Sequence, residues 1–170
     1  VASACVQRYD ASGERDGTFG RGGLVVTALP EGDITPRAVV MDGVKIVVAG
    51  SCGTAAAQDF CVMRYNADGT PDTTFGGTGL VVTPMGSLGD FAHPLFKDGT
   101  KILVGGECEV SGGTDFCLAR YNANGTLDSG FGSNGVVNAT LSGNALDLLR
   151  AVTVQADGGI LVAGLARGGT

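Results

Sequence analysis

The chain contains no Trp, one His, five Pro and only 6% aromatic residues, and charged residues make up 16% of its 170 positions. Each shortage excludes something. Lys and Arg number 11 against 17 Asp and Glu, a net charge of −6, so no basic face is available to neutralise phosphates and nucleic-acid binding is excluded. Sparse charge combined with 44% apolar residues and a mean hydropathy of +0.24 excludes a disordered chain. No apolar run approaches the roughly 18 residues that a membrane helix needs; runs such as residues 44–49 end at Gly within a few positions. No sustained helical stripe of apolar residues occurs, and 30 Gly would penalise helices heavily. The chain does not begin with Met and carries no signal peptide, which predicts a processed product or a piece of a longer protein.

What the sequence does have is a repeat. Arg-Tyr occurs at Arg8-Tyr9, Arg64-Tyr65 and Arg120-Tyr121, 56 residues apart each time. Phe19-Gly20, Phe75-Gly76 and Phe131-Gly132 keep the same spacing, as do Gly13, Gly69, Gly125 and Asp16, Asp72, Asp128. Residues 59–82 and 115–138 are identical at 14 of 24 positions, more than chance produces. The Ile-x-x-x-Gly runs at 46–50 and 102–106 recur at 160–164, 58 residues on, so the third unit holds a two-residue insertion in a loop. A period of this size marks a stacked or radial repeat architecture.

Within a unit the local patterns are those of strands. Short β-branched runs at residues 23–27, 37–41, 45–49 and 60–65 alternate with Gly, Asn and Asp clusters. Asp42-Gly43, Asp98-Gly99 and Asp157-Gly158 read as hairpin turns, where only small or Asx residues tolerate positive φ. Four strands in about 56 residues make one blade of an all-β propeller, and radial repetition protects the edges of so many short strands. A parallel β-helix is the competitor, but its coils are usually shorter and tight turns favour antiparallel pairing.

Residues 59–76 (Asp-Phe-Cys-Val-Met-Arg-Tyr-Asn-Ala-Asp-Gly-Thr-Pro-Asp-Thr-Thr-Phe-Gly) and 155–164 (Gln-Ala-Asp-Gly-Gly-Ile-Leu-Val-Ala-Gly) resemble the delta-60 type of bacterial β-propeller repeat. The resemblance spans essentially the whole chain and departs most in the first unit, where Ser3-Ala4 replaces the Asp-Phe pair. It implies a propeller in a bacterial, often secreted or surface-attached, setting and implies no particular activity.

By this register the chain holds twelve strands: a half-blade at 1–29, blades at 36–84 and 92–140, and a half-blade at 149–170. Three blades cannot close a ring, since propellers use at least four. Two chains joined head to tail would close a six-bladed one. The competing expectation is a fragment closed by further repeats of a longer protein.

The cysteines follow the repeat. Cys52 and Cys61, and Cys108 and Cys117, are nine residues apart on the second and third strands of successive units. Facing cross-strand positions predict two disulfides, each restricting the unfolded chain by roughly 2.5–3 kcal/mol. Paired cysteines at repeating positions point to an oxidising compartment, extracellular or at the cell surface. Cys5 aligns with Cys61 and Cys117, but its partner position is Ala166, so it is expected free and buried.

Chemistry is expected at one end of the innermost strands. Asp33 and Arg37, Asp90 and His93, and Asp147 and Arg150 place a carboxylate before a basic residue in each unit, at the mouth of the central channel. The plain expectation is structural ion pairs or capping carboxylates; the functional one is a polar or anionic small-molecule or glycan ligand. His93 shares its loop with Ser87 and Asp90, which sketches an esterase or lactonase. Triad members usually come from separate elements, however, and no Gly-x-Ser-x-Gly elbow is present. No cofactor and no metal is expected: the Asx-Gly runs at 66–69 and 122–125 lack EF-hand spacing and read as turns. The sequons at 124–126 and 138–140 carry no weight in a bacterial setting. Tyr9, Tyr65, Tyr121, Phe19, Phe75 and Phe131 are expected to pack blade on blade.

Overall fold

The structure is a computed structural model describing residues 1–54, 57–86, 88–141 and 146–167, and no helix occurs among them. Twelve strands follow in order: β1 (Ala4–Gln7), β2 (Leu24–Thr27), β3 (Asp33–Asp42), β4 (Lys45–Thr54), β5 (Ala57–Tyr65), β6 (Leu80–Thr83), β7 (Asp90–Asp98), β8 (Lys101–Val110), β9 (Gly113–Tyr121), β10 (Val136–Ala139), β11 (Asp147–Val154) and β12 (Ile160–Ala166). They form two four-stranded antiparallel meanders, β3-β4-β5-β6 and β7-β8-β9-β10, flanked by the pairs β1-β2 and β11-β12. Each Val-, Ile- and Leu-rich run becomes a strand because Gly and Asx punctuate it at both ends.

The first two hairpins turn one residue later than the Asp-Gly reading places them. Asp42 pairs with Lys45 and Asp98 with Lys101, so the two-residue loops are Gly43-Val44 and Gly99-Thr100. Gly43 at φ 62° and Gly99 at φ 51° supply the left-handed position where the turn begins. The insertion in the third unit divides. The pair Asp147–Ala166 stands 57 residues beyond Asp90 on one strand and 58 beyond Cys108 on the other. One extra residue therefore precedes β11, and the other sits in the turn at 155–159.

Neighbouring sheets pack face to face. Strand β7 lies against β3, β4 and β5, and β11 against β7, β8 and β9. The main core runs between the two meanders, through Val47, Phe60, Phe75, Val104 and Tyr121. The first strands β3, β7 and β11 thus succeed one another along one side of an arc of sheets.

Both disulfides are present, Cys52–Cys61 and Cys108–Cys117, with Cα separations of 5.7 and 5.8 Å. Their cysteines are diagonal across the ladder, not directly opposed as expected: Cys61 faces Gly50 and Cys52 faces Asp59. Cys5 is free, but exposed where burial was expected. Its counterpart Cys61 is covered by a strand on each side, whereas β1 pairs with β2 alone.

Candidate functional site

A β-bulge interrupts each first strand at the same place: between Pro36 and Ala38, between Ala92 and Leu95, and between Leu149 and Ala151. The bulged positions hold Arg37, His93 (followed by Pro94) and Arg150. Opposite each bulge stands a glycine: Gly50, Gly106 or Gly164. A Cβ there would collide with the carbonyl oxygen of Thr35, Phe91 or Leu148 respectively. The glycine lets the first strand close onto the second, and the bulge re-aims one basic side chain per unit.

The carboxylates do not pair with the basic residues of their own units. His93 Nε2 lies 2.9 Å from Glu107 Oε2, and Arg150 Nη1 donates to Glu107 Oε1 at 3.0 Å. Glu107, buried on β8, therefore bridges the basic residues of two successive units. The equivalent position is Ser51 in β4, whose hydroxyl accepts from the Ala92 amide at 3.1 Å, and Leu165 in β12. Arg37 is exposed.

Asp90 and Asp147 are wholly buried at equivalent registers, opposite Cys108 and Ala166. Asp90 Oδ2 accepts from the amides of Met85 and Gly86 at 2.8 and 3.0 Å, and Asp147 Oδ2 from that of Leu141 at 3.2 Å. Both latch the loop that precedes their strand. Burial pushes the Asp90 carboxyl above the ordinary carboxylate range; the two amides oppose this, and the charges of Asp59 and Glu109 add to it. Asp90 Oδ1 is buried without a hydrogen-bond partner among the described residues. Asp33 is not their equivalent: it faces Gly53, one residue earlier, while Ile34 takes the buried position. It accepts from the Ala2 amide at 2.5 Å. Ser87 lies outside the described residues. Among the described residues no group of three or more His, Cys, Asp or Glu is arranged to hold a metal.

Two features went unread in the sequence. Glu107 could have been found as a charge at a position where the other units carry Ser and Leu. The second feature is a clasp. Arg8, Arg64 and Arg120 each donate through Nε to Asp16, Asp72 and Asp128 at 2.8, 2.6 and 2.9 Å. Each guanidinium also lies over Phe19, Phe75 or Phe131, 4.5–4.8 Å from the ring centroid. Burial raises the Asp72 carboxyl, but hydrogen bonds from Lys45, Thr74 and Arg64 outweigh it and hold the group well below the usual carboxylate range.

Residues 45–75 and 101–131 match a family model described as a β-propeller domain of unknown function (DUF5122). Each matched stretch runs from the second strand of its sheet through the Arg-Asp-Phe clasp. No curated protein matches the chain. The chain is similar to a β-propeller repeat family, and its meanders have the form of propeller blades.

Proposed function

We propose that this chain is a binding or scaffold module on a β-propeller of the delta-60 type, secreted or held at the cell surface. Two copies joined head to tail close a six-bladed ring, and the channel face carries the site. The observation that carries the reading is the repeated bulge, which sets Arg37, His93 and Arg150 at one level of three successive first strands. Glu107 occupies the gap between His93 and Arg150. Between Arg37 and His93 the equivalent position is the neutral Ser51, so a carboxylate on a small molecule or acidic glycan would supply there the charge that Glu107 supplies to its neighbours. Two disulfides support an oxidising compartment. The rival reading, ester or lactone hydrolysis, needs a nucleophile beside His93; among the described residues the His93 ring meets the Glu107 carboxylate.

Calorimetric titration with hexuronate oligosaccharides and their neutral counterparts tests the site. The acidic sugars should bind and the neutral ones should not. Arg37→Ala should weaken binding about tenfold, the loss of one charge-assisted hydrogen bond. Acidic and neutral sugars behaving alike would sink the proposal.

A further inference from the structure

We propose that the two ends of the arc are halves of one broken interface, completed by a second copy of this chain along a seam that joins β12 to the partner's β1. This rests on the ring proposed above and names the residues that close it.

Neighbouring units are joined twice by one set of bonds. Arg8 Nη1 donates to the Ala67 carbonyl at 2.5 Å, and Arg64 Nη1 to that of Ala123 at 2.6 Å. The Gly20 amide reaches Asp68 O at 2.7 Å, and the Gly76 amide reaches Asn124 O at 2.9 Å. One period further on, the donors are Arg120 Nη1 and the Gly132 amide. Among the described residues no unit follows to offer them acceptors. One period back, the acceptors are the carbonyls of Ala11 and Ser12, and among the described residues no equivalent donor reaches them. Their turn is already formed: Asp10 N bonds Glu14 O at 2.8 Å, as Asn66 N bonds Thr70 O at 2.8 Å. Each end presents what the other lacks.

The apolar surfaces match in the same way. Leu161 on β12 is 53% exposed, while its equivalents Val47 and Leu103 are fully buried. Tyr9 is 57% exposed, while Tyr65 and Tyr121 are 2% and 0%. A groove of about 290 Å³ runs between β1 (Cys5, Val6) and β3 (Ala38, Val39), and a second of about 380 Å³ lies on Val152, Leu161 and Val162. Strand β11 packs on the sheet before it as β7 does. By that rule the partner's β3 seats on β11-β12, and β11-β12 pairs edge to edge with the partner's β1-β2 into a four-stranded sheet. Such a heterologous contact, closing after two copies, covers the open edges of β12 and β1.

The seam has an internal marker. Cys61 and Cys117 each bond a cysteine on the preceding strand. For Cys5 the corresponding position is Ala166, on the other copy. Ala166→Cys should therefore create a disulfide between chains at a geometry the protein already uses twice.

After mild oxidation of Ala166→Cys we expect, under denaturing conditions, twice the chain mass without reductant and one chain mass with it. The unsubstituted protein should have the mass of two chains in native solution. Leu161→Glu should reduce that mass to one chain with the β circular-dichroism spectrum unchanged, because Leu161 is uncovered within a single chain. A native dimer whose introduced thiols stay free overturns this seam and leaves the ring reading standing. A single-chain mass with free thiols overturns both and assigns the ends to flanking repeats of one polypeptide. A link within one chain, or a ladder of multiples, overturns closure by two.

Discussion

Asp90 and Asp72 are both buried carboxylates, and their surroundings drive them in opposite directions. Lys45 and Arg64 surround Asp72, whereas Asp90 meets two amides and the charges of Asp59 and Glu109. With its folded pKa raised, Asp90 favours folding fully only below its unfolded-state value of about 4. That contribution is lost as pH rises through the folded pKa. Asp72, held low, contributes above its unfolded-state value and loses that contribution as pH falls. Asp90→Asn keeps an oxygen for the Met85 and Gly86 amides and removes the buried charge. Its melting temperature relative to the parent should therefore climb between pH 4 and pH 7, while Asp90→Ala should melt lower at every pH. An Asn variant offset by the same amount at pH 4, 5.5 and 7 would show that the Asp90 charge does not act this way.

At the scale of the strand, the unit's geometry turns on a glycine and a bulge acting together. Adding a Cβ at Gly106 would drive it into the Phe91 carbonyl and bring it 2.8 Å from Phe60 Cζ. Overpacking of this kind costs about 1–3 kcal/mol, and here it also displaces His93 from Glu107. Gly106→Ala should lower the unfolding free energy by that amount and the urea midpoint with it, whereas Gly17→Ala, with nothing within 4 Å, should leave the midpoint unchanged. Equal midpoints for the two would remove the glycine from this role. The repeat made the strands readable, since apolar runs between Gly and Asx clusters specify antiparallel meanders locally. The Ile-x-x-x-Gly run was visible as well, but the bulge opposite it was not. A bulge is a relation between two strands, and no residue type marks it. Glu107 escaped for the opposite reason: matching repeats finds what recurs, and this carboxylate occurs in one unit only. Cys5 was misjudged as buried because its cover depends on neighbouring strands, which spacing alone does not count.

Along the whole arc the Arg-Asp-Phe clasp is built three times from the same residues, and only its surroundings differ. Arg64 and Asp72 are almost fully buried, at 5% and 3% side-chain exposure. They have the turn of their own first hairpin, through Asp42 and Lys45, and the next unit's turn, through Ala123. Arg8 reaches the next turn at Ala67, but among the described residues no first hairpin of its own unit lies beside it. Arg120 has its hairpin, through Lys101 Nζ at 3.1 Å from Asp128, but among the described residues no following turn. Removing one partner of a buried pair costs about 3–5 kcal/mol, whereas an exposed pair contributes about 0–1 kcal/mol. In a dilute single chain, Arg64→Ala should therefore destabilise far more than Arg8→Ala or Arg120→Ala. In the proposed ring a second copy would supply what each end clasp lacks: its turn at 155–159 beside Arg8, and its Ala11 carbonyl before Arg120. Raising the protein concentration should stabilise the parent by mass action. It should also raise the costs of the two end substitutions toward that of Arg64→Ala. Urea unfolding of the three variants at micromolar and at hundred-micromolar protein separates the outcomes. End-clasp costs that stay the same across that range would mean the missing surroundings are never supplied by a second copy.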